Sequence, residues 1–132
     1  MRSLVFLVVV GLLCANLPAW AAGDFDGAKT LLCASVEAIS CEPGEACEKG
    51  PPEIIGAPQF MRIDFGKKVI AGPLRTAEIR LIEKNDDQIT LQGYELDMGW
   101  TLALDRATGK MTVTFAGLES AFVIFGACTA LQ

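Results

Sequence analysis

Short runs of alternating apolar and polar residues dominate the chain from Gln59 onward. In the first of these runs Met61, Ile63 and Phe65 alternate with polar neighbours. A period of two indicates a strand that buries one face. Residues 31–41 contain helix-forming Ala, Leu and Glu, but their alternation favours a strand. The pattern predicts about eight short strands, at residues 31–41, 61–65, 69–71, 78–82, 89–94, 100–105, 111–115 and 121–128.

Short connections join these strands. Asn85-Asp86-Asp87 predicts a tight turn, and Ala107-Thr108-Gly109 predicts a hairpin connection in which Gly109 can adopt a positive φ. A meandering antiparallel sheet of this length hides its edges by curling into a barrel or by folding into a sandwich. The predicted fold is therefore all-β, an antiparallel meander that forms a small β-barrel, with a β-sandwich as the alternative.

The N-terminal residues follow a different pattern. Met1-Arg2-Ser3 carries a positive charge, an apolar run follows at residues 4–17, and Pro18 precedes Ala19-Trp20-Ala21. This order is typical of a secretory signal peptide that is cleaved after an A-x-A site. The apolar run is shorter than the about 20 residues that span a bilayer. We therefore expect residues 1–21 to be a signal peptide and no stable membrane insertion after cleavage.

The rest of the chain is expected to form one domain. Residues 22–58 hold a lead-in, the first strand and a loop rich in glycine and proline, and residues 59–132 hold the remaining β meander of the same domain. With Cys14 in the signal peptide, Cys33, Cys41, Cys47 and Cys128 remain. An even number of cysteines in a short exported chain indicates two disulfides in an oxidising compartment.

Three disulfide pairings are possible with four cysteines. Cys41–Cys47 is favoured because it closes a short loop around the turn-forming Pro43-Gly44. Cys33–Cys128 would then join the first strand to the last, which favours a barrel. Pairing Cys33 with Cys41 is disfavoured, because two residues that far apart on one strand lie about 27 Å apart.

The composition excludes several chemistries. The chain contains no histidine, which removes histidine-activated nucleophiles and the usual catalytic zinc and haem ligation. Bridged cysteines leave no free thiolate. The net charge of −5 disfavours nucleic acid and anionic membranes as partners. We expect no cofactor, no metal site and a monomer.

A carboxylate-based hydrolase is the remaining enzymatic hypothesis, because paired carboxylates can cleave glycosidic bonds. The candidate carboxylates lie at outward strand positions or in turns, where they are usually solvated: Asp64, Glu78, Glu95, Asp97 and Asp105. The sequence therefore favours a protein that is not an enzyme.

Two groups of residues are candidates for binding. Glu42, Glu45, Glu48 and Glu53 crowd around the Cys41–Cys47 segment, opposed only by Lys49. They form either a solubilising loop or a docking site for a cationic partner. Aromatic side chains on the inner face of a small barrel either fill its core or line a ligand cavity. The cavity candidates are Trp100, Tyr94 and Phe115.

Several motifs accompany the cysteines: Cys33…Cys41…Cys47, Pro58-Gln59-Phe60-Met61-Arg62-Ile63-Asp64-Phe65, Leu91-Gln92-Gly93, Gly99-Trp100-Thr101-Leu102, Thr108-Gly109-Lys110-Met111 and the ending Phe125-Gly126-Ala127-Cys128. In these motifs the chain resembles a group of uncharacterised small exported (periplasmic) bacterial proteins. The resemblance implies a periplasmic location and the cysteine framework. It carries no activity and no catalytic residues.

These observations lead to one main functional hypothesis and one alternative. The main hypothesis is a periplasmic or secreted, non-enzymatic binding module that engages a small apolar ligand or an envelope protein. The alternative is an envelope structural or stress-protection factor whose acidic loop, from Glu42 to Glu53, does the work.

Overall fold

The computed structural model describes residues 23–132, so the predicted signal peptide lies outside the described residues. The all-β prediction is confirmed: the chain forms a curled antiparallel sheet, a half-barrel, with two disulfides. One short 3-10 helix covers Pro52–Ile55. The strands are β1 (Leu31–Cys41), β2 (Glu48–Gly50), β3 (Phe60–Asp64), β4 (Val69–Ala71), β5 (Thr76–Glu78), β6 (Leu81–Lys84), β7 (Gln88–Glu95), β8 (Met98–Asp105), β9 (Lys110–Ala116) and β10 (Ala121–Ala130).

The strands pair in the order β5-β4-β3-β1-β10-β9-β8-β7-β6, and β2 pairs with β1 beside β3. The two end strands of this order, β5 and β6, are separated along the chain only by Ile79 and Arg80. The Ile79 amide donates to the Lys68 carbonyl at 2.9 Å, and the Arg80 amide donates to the Gln92 carbonyl at 2.8 Å. Residues 76–84 therefore reach from one edge of the curled sheet to the other.

The described residues form ten strands where the alternation predicts about eight. One extra strand is β2, which lies in the segment that the sequence predicts as a loop. The other arises because the predicted strand at 78–82 is interrupted at Ile79 and Arg80, which bond to opposite edges of the sheet. Both differences depend on pairing with other strands, which the residues of the segment alone do not reveal.

A β-bulge at Val36 divides β1 into two halves. The register with β10 shifts between Ser35, which lies opposite Gly126, and Glu37, which lies opposite Phe125. Leu31, Cys33 and Ser35 are buried before the shift, and Ala38 is buried after it. The strict alternation predicted for residues 31–41 is therefore corrected: the extra residue reverses which positions face inward. Glu37 consequently reaches Lys49 on β2, with 3.1 Å between its Oε2 and the Lys49 Nζ.

The inner face of the sheet forms one apolar core. In β3, β7, β8 and β9 the predicted alternation holds, and the large inward side chains are buried or half-buried. In the segment 78–82 the alternation of Ile79 and Leu81 with Glu78, Arg80 and Ile82 is wrong: Ile79 is buried, but Leu81 is 44% exposed and Ile82 packs against the core instead. The buried core residues are Leu31, Cys33, Ala38, Met61, Ile63, Phe65, Ile79, Ile89, Leu91, Trp100, Leu102, Leu104, Met111, Val113, Ile124 and Cys128.

Both favoured disulfides are confirmed. Cys33 and Cys128 lie directly opposite each other on β1 and β10, and their bridge belongs to the core. Cys41–Cys47 closes the short loop that follows β1, at the surface. One disulfide therefore links the first and last long strands of the domain, and the other closes the loop between β1 and β2.

Candidate functional site

Three connections leave the sheet at the same end. In the order β1-β10-β9-β8-β7 neighbouring strands are antiparallel, so β1, β9 and β7 all run toward this end. We call residues 41–47, 95–98 and 116–121 the acidic end. Ladder pairs place the three segments side by side: Cys41 lies opposite Ala121, and Ala116 lies opposite Gly99, which directly follows Met98. The sheet therefore holds the three connections next to one another.

The charges of the acidic end have a single sign. Its three segments carry the carboxylates of Glu42, Glu45, Glu95, Asp97 and Glu119, and none of them contains a lysine or an arginine. A fourth connection on this side, residues 72–75, carries Arg75 but lies at the edge of the sheet beside Pro58. Lys49 lies two residues beyond the first segment and pairs with Glu37. The excess of carboxylates in the three segments produces a local negative potential that attracts cationic groups.

The four glutamates predicted around Cys41–Cys47 divide into two groups. Glu42 and Glu45 belong to the disulfide loop, and Glu48 begins β2 next to it; all three are exposed. Glu53 lies in the 3-10 helix, where its Oε1 accepts a hydrogen bond from the Gln59 side chain. That hydrogen bond holds the pKa of Glu53 below its usual value. Glu53 therefore already has a partner within the domain.

The disulfide fixes the shape of the first connection. The Cys41–Cys47 bridge closes residues 41–47, and Gly44 takes a φ of 78° that favours glycine. The Glu45 amide donates to the Glu42 carbonyl at 3.3 Å, which forms a turn around Pro43-Gly44. Glu42 and Glu45 are thus carried by a covalently closed turn and not by a freely moving loop.

Exposed apolar side chains accompany the carboxylates. Leu118 is fully exposed in the β9–β10 turn, and Leu96 is 67% exposed in the β7–β8 turn. Leu96 and Asp97 have φ values of 51° and 60°, in the left-handed region that normally selects glycine or asparagine. Such a conformation costs on the order of 1–3 kcal/mol for a non-glycine residue. The turn thus presents a leucine to solvent where a glycine or asparagine would be less strained.

A shallow depression lies between the disulfide loop and the β9–β10 turn. Its volume is about 280 Å³, and its lining includes Glu42, Pro43, Leu118 and Glu119 together with Cys41, Gly117, Ser120 and Ala121. The third connection adjoins it, because a Cβ built on Gly117 would lie 3.2 Å from Cγ of Met98. An apolar surface with a glutamate on each wall can accept a side chain that has an aliphatic stem and a cationic head.

The predicted cavity residues do not line one cavity. Trp100 is 4% exposed in the core, and Phe115 lies directly opposite it on β9 with its side chain on the same face. Gly93 is the ladder partner of Trp100, so the next residue, Tyr94, lies on the outer face of the sheet. There Tyr94 is half exposed, and the Arg80 guanidinium lies over its ring, 5.7 Å from the ring centroid. The predicted trio is therefore corrected to a pair, Trp100 and Phe115, and this pair belongs to the packed interior.

A second depression, of about 340 Å³, lies on the outer face near the β8–β9 hairpin. Asp87 and Asp105 line it together with Lys110. The amides of Ala107 and Thr108 donate to Asp105 Oδ1 at 2.8 and 3.1 Å and hold the pKa of this carboxyl below its usual value. A general acid needs the opposite shift. Asp105 is therefore suited to fixing the hairpin and not to donating a proton.

Among residues 23–132 no three acidic or cysteine side chains gather as a metal site would require. The other predicted carboxylates are exposed or half-buried: Asp64, Glu78, Glu95 and Asp97. Asp64 accepts a hydrogen bond from the Lys67 amide at 2.9 Å in the β3–β4 turn.

Fold and disulfides together define a class, a small disulfide-bonded β-protein suited to an oxidising environment. The part of the chain that the structure describes has no helix with the length and apolar character needed to cross a membrane. Comparisons of the chain with protein families, with curated proteins and with solved structures found no match. The function is therefore argued from the acidic end itself.

Proposed function

We propose that this protein is a non-enzymatic, protein-binding module of the periplasm or the extracellular space, which uses its acidic end to bind a basic partner. The observation that carries the proposal is the coincidence of three connections with carboxylates, no basic residue and two exposed leucines. Complementary charge steers association and sets specificity, while exposed apolar side chains contribute affinity on burial.

Two observations support the proposed location. Two disulfides favour an oxidising compartment. The signal peptide predicted at residues 1–21 supplies a route of export. An acidic surface on such a protein attracts basic proteins and peptides.

The interior of the sheet supports a surface partner over an internal ligand. The inward positions of β7 and β8 carry Leu91, Trp100, Leu102 and Leu104, each buried in the common core. A cavity for an apolar ligand needs inward positions that leave space, and the large side chains here occupy it. The acidic end, by contrast, is exposed and already organised.

A binding measurement with a defined probe tests the proposal. The probe is a short fluorescent peptide of alternating lysine and leucine, and its binding is followed by anisotropy at low and at high salt. We expect binding that weakens with salt, because the attraction between exposed charges is screened. In the triple variant E42Q/E45Q/E119Q the affinity should fall roughly tenfold or more.

The matched control removes the same number of charges from exposed positions elsewhere. Glu83, Asp86 and Asp87 lie on or beside β6 and are all exposed. The control variant E83Q/D86N/D87N should lose less than about threefold in affinity. Equal losses in the two variants, or a peptide that does not bind the parent protein, would refute the proposal.

A further inference from the structure

We infer that the depression between the Cys41–Cys47 loop and the β9–β10 turn holds a lysine or arginine side chain of the basic partner. This inference rests on the proposed function and names the point of contact within the acidic end. The occupant is a protein segment in which a basic residue stands beside an apolar one. The argument comes from the lining of the depression and from its charge.

The lining of the depression matches the two parts of such a side chain. Pro43, Ala121 and the fully exposed Leu118 offer apolar surface for the aliphatic stem. Glu42 stands on the disulfide loop and Glu119 on the β9–β10 turn, so a carboxylate is available on each wall for the cationic head. Long basic side chains cover apolar surface with their stems while their heads reach polar groups at the rim.

The depression near the β8–β9 hairpin lacks these properties. Lys110 lines it and offsets its acidic charge. Asp105 there is already bonded to the amides of Ala107 and Thr108. A cationic side chain there would be repelled by Lys110, and of the two lining carboxylates, Asp87 and Asp105, the second already accepts two amide hydrogen bonds. Charge complementarity therefore selects the depression at the acidic end.

The walls of the selected depression are also fixed before a partner arrives. The Cys41–Cys47 bridge holds the loop that carries Glu42. The Gly117 amide donates to the Ser120 carbonyl at 3.0 Å and closes the turn that carries Leu118 and Glu119. A preformed site loses little conformational freedom on binding, which favours affinity.

Two pairs of charge variants test the inference with the same lysine–leucine peptide. E42Q/E119Q removes the two carboxylates that line the depression, and E45Q/D97N removes two from the acidic end outside it. We expect E42Q/E119Q to weaken binding roughly tenfold and E45Q/D97N less than about threefold, because a charge in contact with its partner matters more than a screened one.

A second comparison uses leucines and leaves the charge unchanged. Leu118 is fully exposed at the depression, and Leu74 is 91% exposed in the β4–β5 turn. L118A should weaken peptide binding severalfold and L74A should not, and neither change removes buried surface that the fold needs.

The outcomes separate the two proposals. Equal losses for E42Q/E119Q and E45Q/D97N, with no effect of L118A, would overturn the inference and leave a diffuse electrostatic partner surface. A peptide that does not bind the parent protein would refute the proposed function and the inference together.

Discussion

At the scale of single residues, a glycine in β10 shows how closely two strands approach. Gly126 lies opposite Ser35, immediately before the bulge at Val36. A Cβ built there would lie closer than 3.0 Å to the Ala34 carbonyl oxygen and 2.6 Å from Cε of Met111. The Met111 side chain can move, but the carbonyl belongs to the backbone of the neighbouring strand. The bulge and the absence of a side chain at Gly126 therefore support the same local geometry.

The first prediction concerns this glycine. The change G126A should lower the free energy of unfolding by about 1–3 kcal/mol, because the added methyl group forces two paired strands apart. Gly99 provides the control, since a Cβ there meets nothing within 4 Å. Denaturant unfolding should show G99A close to the parent protein. A G126A variant as stable as G99A would contradict the close approach of β1 and β10.

A second prediction at this scale concerns Asp105 and pH. Hydrogen bonds from the Ala107 and Thr108 amides lower its pKa from the ordinary value of 3.8. A lowered pKa means that the ionised carboxyl stabilises the fold above its unfolded pKa, and that this contribution is lost as the pH falls through its folded pKa. The stability difference between the parent protein and D105A should therefore be largest at neutral pH and shrink below about pH 4.

Two measurements check this prediction. An NMR titration of the carboxyl carbons should place the pKa of Asp105 below 3.8. Unfolding of D105A as a function of pH gives the stability difference, with D86A as an exposed control in the β6–β7 turn. If the stability difference between the parent protein and D105A grew as the pH fell, the hydrogen bonds would not be lowering the pKa of Asp105, and the prediction would be wrong.

At the scale of elements, alternation along the sequence is a good guide to strands and a poor guide to their irregularities. Each of the eight predicted strands corresponds to a strand or to parts of strands in the structure. The bulge at Val36 was not predictable, because it depends on how β1 registers with β10, nearly the whole domain away. Strand β2 is stabilised by pairing with β1, so its own sequence carries little signal.

The candidate site was predictable in part. The acidic disulfide loop is visible in the sequence, but its neighbours in the structure, Leu118 and Glu119, are not among the sequence-based candidates. Strand parity could have found them: in an antiparallel meander, the turns after alternate strands lie at the same end. The turns at 95–98 and 116–121 are acidic in sequence and follow strands of the same direction as β1. The face of Tyr94 was also predictable, because the alternation that turns Ile89 and Leu91 inward turns Tyr94 outward.

At the scale of the whole molecule, the two disulfides constrain the chain to different extents. Cys33 and Cys128 are 0% and 9% exposed, and their bridge closes a chain segment with a sequence separation of 95. Cys41–Cys47 has a separation of 6 and lies at the surface of the acidic end. The first bridge restrains nearly the entire unfolded domain, whereas the second mainly shapes one connection.

A third prediction follows from the difference in loop length between the two disulfides. In the loop-closure model, a bridge across about 95 residues stabilises the fold by about 4–5 kcal/mol and one across about 6 residues by about 2 kcal/mol. Replacing Cys33 and Cys128 by alanine should therefore reduce the free energy of unfolding by more than the double change C41A/C47A, and the loss of core packing adds to the gap. Denaturant titration of both variants gives the comparison, and alanine avoids placing a new hydroxyl in the core. Equal losses would mean that the unfolded domain is already restrained by residual structure, so that the long bridge removes little additional freedom.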